Sequence, residues 1–417
     1  MLDNLFKKNF KIVISIILIF GILIPLLGIY LSTNCELNNT EECLIETEKI
    51  MPDFYWHSNI IKYVSTYKTI PLEVESTKDG GPAGDIITGI GKGTFHGSAY
   101  YYLAAIIYNL SNSFLALHIF SVIIMLLTNI LFLFFLKEIS RKWDKRYSFI
   151  VFSMILFVFL PTQLFTSLMI HPSVIYPPLL ILSLLLYIRA LNKPILNNFI
   201  FLGISMGVLT LTELKGFVLP LTLSFYALVY LIKKGYKKFK LLLLSLIITA
   251  IIGSYTFIRN YLQFGNPFGF WKTSQGQFYT HEFSKLLSYF TAFWAGIYGG
   301  NESIKPILSI FVLALTLITI YSIIKNKFGI YKKIDILVSM SIITIILAFF
   351  MTCSIEYLLT SFTCVGDIVH GRYLLIFNPT IAIFSSLVFI KFKNLLSLLF
   401  ILIISILFSI DFLWALI

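Results

Sequence analysis

The sequence predicts an all-α polytopic membrane protein, and two observations support this prediction. The first is composition: 58% of the residues are hydrophobic, 12% are charged and the mean hydropathy is +0.88, which does not suit a water-soluble domain. The second is order along the chain. Long apolar runs alternate with short loops, and clusters of Lys and Arg recur at every second loop. Such clusters are typical of cytoplasmic loops.

The apolar runs predict the number of membrane spans. The first run, 11–31, follows a lysine cluster and is long enough to cross a hydrocarbon core of roughly 30 Å, which predicts a cytoplasmic N-terminus. No A-x-A site follows it, so we expect it to remain as an anchor rather than be cleaved as a signal peptide. Later basic clusters assign five loops to the same side: 137–146, 189–193, 233–240, 325–333 and 391–393. Pairing the runs between them gives about eleven transmembrane helices.

The net charge of +12 needs no nucleic-acid partner. Much of it lies in the predicted cytoplasmic loops, where Lys and Arg contact anionic headgroups of the lipid bilayer. The sequence contains no polar module in which a basic run is interleaved with stacking aromatic residues. We therefore expect no nucleic-acid binding.

Two predicted extracytoplasmic loops are much longer than the others, at 32–96 and 259–305. Two long loops on one side, rich in aromatic and polar residues, indicate a site on that side. The chain is expected to form a single transmembrane domain over 1–417. Within it, the tyrosines at 97–111 predict an interfacial helix, and an apolar stretch at 286–297 is too short to span and predicts an interfacial helix or a lid.

The four cysteines form two close pairs, Cys35 with Cys43 and Cys353 with Cys364. The predicted topology puts both pairs near the outer face, where disulfides can form. We favour a disulfide for the first pair. For the second pair, a buried free thiol at Cys353 stays an open alternative.

Several motifs recur in an informative order. A long outer loop contains Pro-Asp53 followed by His57, and His96 then precedes the tyrosine segment that includes Tyr101. Further motifs follow along the chain: Leu-Thr-Glu213-Leu-Lys215-Gly, Arg259-Asn and His-Gly-Arg372-Tyr-Leu. As a set they resemble the C-type (GT-C) membrane glycosyltransferases, which include protein O-mannosyltransferases and lipid A aminoarabinose transferases. The likeness covers nearly the whole chain by order and spacing.

The resemblance implies transfer of a sugar at the outer face. The donor would be a polyprenyl-phosphate sugar, and the acceptor would be a lipid, a glycan or a protein. A phosphate leaving group needs no general acid, so one carboxylate base and several cations are sufficient. No cofactor is expected, and no metal is expected because the possible ligands come from separate segments without ligand spacing. The Trp-Trp-Asp motif of oligosaccharyltransferases is missing, so en bloc oligosaccharide transfer is not expected.

The resemblance also implies roles for individual residues. Asp53 matches the first-loop acidic residue of these enzymes and is the predicted catalytic base, with a helix N-cap as the structural alternative. His57 would share a helix face with Asp53 four residues earlier and is also predicted to be catalytic, with a structural role as the alternative for a lone histidine. Seven residues are predicted to bind substrate: Arg259, Arg372, Lys215, Glu213, His96, Tyr101 and His171.

The three cations among these residues lie at the predicted outer ends of spans. The resemblance assigns the donor phosphate to Arg259 and Arg372, because a guanidinium offers a bidentate fork. Snorkelling to lipid headgroups is the alternative for each. Lys215 follows Glu213 at i+2, so the two do not share a helix face, and their motif predicts a break between two half-spans.

One departure from the family concerns a second acidic residue. Many relatives carry it at the outer start of the fourth span, where this chain has His171 followed by a proline. If His171 stands at that position, the role of the second carboxylate is lost or has moved to Asp79, Asp85 or Glu213.

Two other functions stay open. A transporter or flippase of lipid-linked glycans would want two related halves with polar groups near the midplane, whereas the ionisable residues here lie mostly in loops or at span ends. A different polyprenol-dependent enzyme, such as a ligase or polymerase, would keep the outer arginines but not the Asp53 loop.

Overall fold

The computed structural model describes residues 2–32, 54–68, 98–232, 236–264, 336, 375, 377–390 and 394–414. Regular structure in these ranges is entirely helical, which confirms the predicted all-α fold. The α-helices are α1 (Leu2–Ser32), α2 (Phe54–Tyr67), α3 (Ser98–Ser111), α4 (Phe114–Ile139), α5 (Arg146–Val158), α6 (Pro161–Thr166), α7 (Tyr176–Asn192), α8 (Leu196–Thr212), α9 (Val218–Ile232), α10 (Tyr236–Phe264), α11 (Asn378–Phe389) and α12 (Asn394–Trp414). Two short 3₁₀ helices, Pro172–Val174 and Leu214–Phe217, lie before α7 and between α8 and α9.

Membrane spans are present as expected from the apolar runs. Four segments of the described chain are long and apolar enough to cross a bilayer: Leu2–Leu31, Phe114–Ile139, Pro172–Asn192 and Tyr236–Arg259. Apolar side chains such as Ile12 on α1 and Ile251 on α10 are exposed, which is what lipid-facing surfaces require. The prediction of about eleven spans includes segments outside the described residues.

Contacts between distant segments place the N-terminus, a basic loop and the end of α11 at one end of the helix bundle. The backbone N–H of Ser148 donates to Asp3 Oδ1 at 2.8 Å, so the N-terminal segment caps the start of α5. Lys145 Nζ donates to the carbonyl of Ile390 at 3.1 Å, at the end of α11. The N-terminus, the basic loop 137–146 and the end of α11 therefore share one side. We call this side the basic end and the opposite side the site end.

Helices α8 and α10 pack unusually closely. A Cβ at Gly203 would lie 2.7 Å from the Ser245 carbonyl oxygen, and one at Gly207 would lie 2.7 Å from Ile252 Cβ. Thr249 Oγ1 donates to the Gly203 carbonyl at 3.1 Å across the same interface. Small residues spaced four apart let membrane helices approach in this way. The packing brings α8 and α10 together along their length.

The helical structure is interrupted between α8 and α9, as the sequence predicts. Helix α8 ends at Thr212, and Glu213 is extended with φ −157° and ψ 151°. The 3₁₀ helix follows, and the N–H of Gly216 donates to the Glu213 carbonyl at 2.8 Å. A Cβ at Gly216 would overlap the backbone carbonyl of Leu209, so only glycine fits. The break leaves the Glu213 side chain outside both helices at the site end.

The segment between α5 and α7 is also irregular and is held against α4. Proline begins the short helix α6, where its missing N–H leaves no bond unmade. His118 Nδ1 donates to the Leu168 carbonyl at 2.6 Å, and Ser121 Oγ donates to the Met169 carbonyl at 2.7 Å. These two hydrogen bonds fix the path of the backbone that precedes His171.

Candidate functional site

Four distant segments bring five polar side chains together at the site end. We call them the polar cluster: His57 on α2, Tyr101 on α3, His171 and Ser173 at the 3₁₀ helix before α7, and Glu213 at the end of α8. All five are buried, with at most 4% of their surface exposed. Buried polar groups in an apolar bundle are costly unless they are paired with each other. The contacts within the cluster provide that pairing.

His57 connects two members of the cluster. Its Nδ1 lies 2.7 Å from the Tyr101 hydroxyl oxygen, and its ring centroid lies 4.2 Å from that of His171 in an edge-to-face arrangement at 80°. The position follows from the sequence of α2, because residue 57 begins the helical repeat of buried Ile60, Ile61 and Val64. The apolar face of α2 therefore carries His57 inward.

Glu213 is the charged member of the cluster. The Ser173 hydroxyl donates to its carboxylate, and His171 Nδ1 lies 3.5 Å from its Oε1. His171 Nδ1 also accepts the backbone N–H of Ser173 at 2.9 Å, which caps the 3₁₀ helix. A carboxylate brought into an apolar interior needs a donor such as the Ser173 hydroxyl to offset the loss of water. Glu213 thus lies beside His171.

Two of the tyrosines on α3 are core residues, contrary to the prediction that they lie half-wet at the membrane boundary. Tyr100 and Tyr101 are fully buried, whereas Tyr102 is 39% exposed. Burial raises the pKa of Tyr100, so its phenol stays neutral at physiological pH. The error arose because tyrosine suits both an interface and a core in which its hydroxyl finds a polar partner.

Arg259 lies at the same end of the bundle as the polar cluster. It is half-buried near the end of α10. Gly253, six residues before it, packs against Thr210 of α8, which is three residues before Glu213. Helix α10 continues to Phe264, so the second long loop begins later than the predicted residue 259. A predicted phosphate-binding cation therefore lies at the site end.

A second buried polar network lies at the start of α11. Asn378 Nδ2 donates to Gln163 Oε1 at 3.1 Å, and Thr162 Oγ1 donates to Asn378 Oδ1 at 3.0 Å. The network joins α6 to the residues that follow the predicted phosphate ligand Arg372. Nothing in the sequence predicted it, because single Thr, Gln and Asn residues in apolar surroundings have no distinctive spacing.

The predicted site residues fall into three groups. His57, Tyr101, His171 and Glu213 are brought together, and Arg259 lies at the same end of the bundle. Lys215 is described for its backbone only, in the 3₁₀ helix after α8. The remaining predictions lie outside the described residues: Asp53, His96, Arg372, Asp79, Asp85, the four cysteines and the segment 286–297.

Asp53 directly precedes α2, which begins at Phe54. Ser173 is a cluster member that sequence reasoning missed, because a serine two residues after His171 is an ordinary turn residue. Within the described ranges, no group of three His, Cys, Asp or Glu side chains could hold a metal ion.

No family model matches the chain, and no curated protein matches it. Several solved structures are similar to it. ArnT from Cupriavidus metallidurans bound to undecaprenyl phosphate has a TM-score of 0.53 and 12% identity, over 92% of this chain. An oligosaccharyltransferase from Archaeoglobus fulgidus in complex with Zn and sulfate has a TM-score of 0.56 and 13% identity, over 95% of this chain.

The chain spans 62% of the length of the first structure and 53% of the second. Both are GT-C glycosyltransferases. At this level of identity the likeness concerns the fold, and it extends over nearly all of the chain. The protein therefore has the multi-pass helical membrane fold of the GT-C glycosyltransferases, as the order of its sequence motifs predicted.

Proposed function

We propose that this protein is a membrane glycosyltransferase that moves a sugar from a polyprenyl-phosphate donor to a lipid, glycan or protein acceptor. The main support is the position of Arg259 at the same end as the buried polar cluster, opposite the basic loops of a GT-C fold. One structure with this fold is bound to undecaprenyl phosphate. An arginine at that end of the bundle suits a lipid phosphate, since its fork matches two phosphate oxygens.

The proposed chemistry needs one base and several cations. Asp53 accepts the proton of the acceptor hydroxyl while the hydroxyl oxygen attacks the anomeric carbon of the sugar. The bond between that carbon and the phosphate oxygen breaks, and polyprenyl phosphate leaves with the electron pair. Arg259 and Arg372 stabilise the negative charge that develops on the phosphate. The products are the glycosylated acceptor and the lipid phosphate.

The site end would face away from the cytoplasm. Basic residues gather at the opposite end, and Lys and Arg favour the cytoplasmic side of a membrane. The proposed location is a prokaryotic plasma membrane, where polyprenyl-phosphate sugars are presented on the outer leaflet.

The test is turnover by the purified full chain in nanodiscs. A panel of undecaprenyl-phosphate monosaccharides with radiolabelled sugars would be supplied together with a cell-envelope extract as acceptor. We expect label from one of these donors to appear in the acceptor fraction. In proteoliposomes, movement of the labelled lipid across the bilayer without transfer would instead support the transporter or flippase.

Variants then test the assigned roles. Asp53→Asn keeps the size of the side chain but cannot take the proton, so transfer should fall by about two to four orders of magnitude while undecaprenyl phosphate still binds. Arg259→Ala should weaken that binding as well, and Arg259→Lys should restore it in part. Wild-type turnover by Asp53→Asn would place the base elsewhere.

A further inference from the structure

We propose that Glu213 and His171 are positioning residues, which act through His57 to hold the start of α2 and Tyr101 in place for the transfer reaction. This inference rests on the proposed function. It replaces the sequence prediction that Glu213 and His171 bind substrate directly. The structural basis is a continuous chain of contacts across four segments that are far apart in sequence.

Burial argues against direct substrate contact. Glu213 is 4% exposed and His171 is 2% exposed. The Glu213 carboxylate accepts from the Ser173 hydroxyl, and His171 Nδ1 accepts the Ser173 backbone N–H. Groups that are this well enclosed support their neighbours rather than meet a ligand.

The chain of contacts runs through the whole cluster. From Glu213 it passes to His171 at 3.5 Å, to the His57 ring with centroids 4.2 Å apart, and to the Tyr101 hydroxyl at 2.7 Å. His57 is in the first turn of α2, four residues after Asp53 in the sequence. These contacts therefore hold the start of α2 in place.

Helix α8 provides the connection to the proposed phosphate site. Thr210, three residues before Glu213, packs against Gly253 of α10, the helix that carries Arg259. The contacts of the cluster therefore relate the start of α2 to the arginine that would hold the leaving phosphate. This relation matters because a shift of about 1 Å between reacting groups can reduce a rate by about 100-fold.

The variant His171→Asn distinguishes the capping role of His171 from its proposed positioning role. The Asn side-chain oxygen can accept the Ser173 N–H, and Asn is a favoured capping residue, so the 3₁₀ helix should stay intact. The ring that contacts His57 is lost. We expect a folded protein that binds undecaprenyl phosphate normally but transfers sugar about 10- to 100-fold more slowly. Wild-type transfer by this variant would overturn the inference.

Glu213→Gln tests the charge. Gln can still accept from the Ser173 hydroxyl but has no negative charge beside His171, so transfer should fall about tenfold with undecaprenyl phosphate affinity unchanged. The matched control is Glu138→Gln at the basic end, where Glu138 accepts from Asn192 at 2.7 Å. This control should transfer normally. A parallel loss of undecaprenyl phosphate binding and transfer in Glu213→Gln would restore the substrate-binding role and contradict positioning.

Two further comparisons complete the test: a conservative replacement of His57, and a double variant that changes His57 and Glu213 together. The amide of His57→Asn can reach the Tyr101 hydroxyl from the position of Nδ1, so this variant should keep more transfer than His57→Ala. The double variant Glu213→Gln with His57→Asn should lose less transfer activity than the sum of the losses in the two single variants. The reason is that both residues act through one set of contacts. Independent effects would indicate a merely structural role. If His171→Asn does not fold, the Glu213→Gln results decide whether the positioning role holds.

The outcomes also separate this inference from the proposed function. Absence of transfer by the wild-type protein overturns both. Transfer by the wild type together with unaffected cluster variants overturns only the positioning role.

Discussion

The Nδ1 atom of His57 lies 2.7 Å from the hydroxyl oxygen of Tyr101, and this bond joins α2 to α3 in the interior of the protein. Both side chains are almost completely buried. Because neither can turn to water when the other is removed, this hydrogen bond contributes to stability as well as to the geometry of the proposed site.

Tyr101→Phe removes the hydroxyl and keeps the ring. We expect it to lower the free energy of unfolding by about 1 to 3 kcal/mol, since His57 loses a buried partner. The measurement is chemical denaturation of the full chain in detergent, followed by its intrinsic fluorescence. Tyr102→Phe is the control, because Tyr102 is 39% exposed on the same helix. Equal losses in the two variants would contradict a special contribution from the buried hydroxyl.

Gly216→Ala should be strongly destabilising. The added Cβ overlaps the Leu209 carbonyl, which belongs to the α8 backbone and cannot rotate away. Overpacking of this kind costs about 1 to 3 kcal/mol or more. Gly253→Ala is the comparison, because its Cβ would lie 3.0 Å from a methyl group of Thr210, a side-chain contact that can adjust. The thermal unfolding midpoint of Gly216→Ala should be well below that of Gly253→Ala. The reverse order would refute the steric argument.

Asn378→Ala should disturb the second polar network and the chain segment before it. Gln163 and Thr162 each lose a buried partner, with an expected cost of about 1 to 3 kcal/mol. Because Arg372 precedes this network in the chain, undecaprenyl phosphate affinity should also fall. Ser386→Ala on the same helix removes only a bond to the Ala382 carbonyl and serves as the control. Unchanged lipid affinity in Asn378→Ala would separate the network from the phosphate site.

Topology can be tested by labelling single cysteines in a background with the native cysteines changed to serine. Thr66→Cys near the end of α2 and Lys142→Cys in the basic loop both replace exposed residues. An impermeant maleimide added to intact cells should modify position 66 only. Modification of position 142 from outside would reverse the orientation and move the proposed site to the cytoplasmic face.

The sequence alone was sufficient to predict an all-helical membrane fold. Hydropathy along the chain is a local property, and a bilayer of fixed thickness converts each long apolar run into a helix of similar length. The break after Thr212 could be predicted for a similar reason, since a charged Glu-x-Lys motif next to a glycine interrupts an apolar run. Candidate site residues could be named one by one from the resemblance, but their contacts could not.

Only the tertiary structure decided which of these residues meet. A membrane helix is apolar on every face, so its sequence does not reveal which face packs inside and which meets lipid. Tyr101 was assigned to the membrane boundary although it lies in the core, because tyrosine suits either place when its hydroxyl finds a polar partner. The proximity of Glu213 to His171 depends on how closely α8 packs and on the path of the turn before α7. Such contacts arise from the packing of distant segments, which no local pattern of residues specifies.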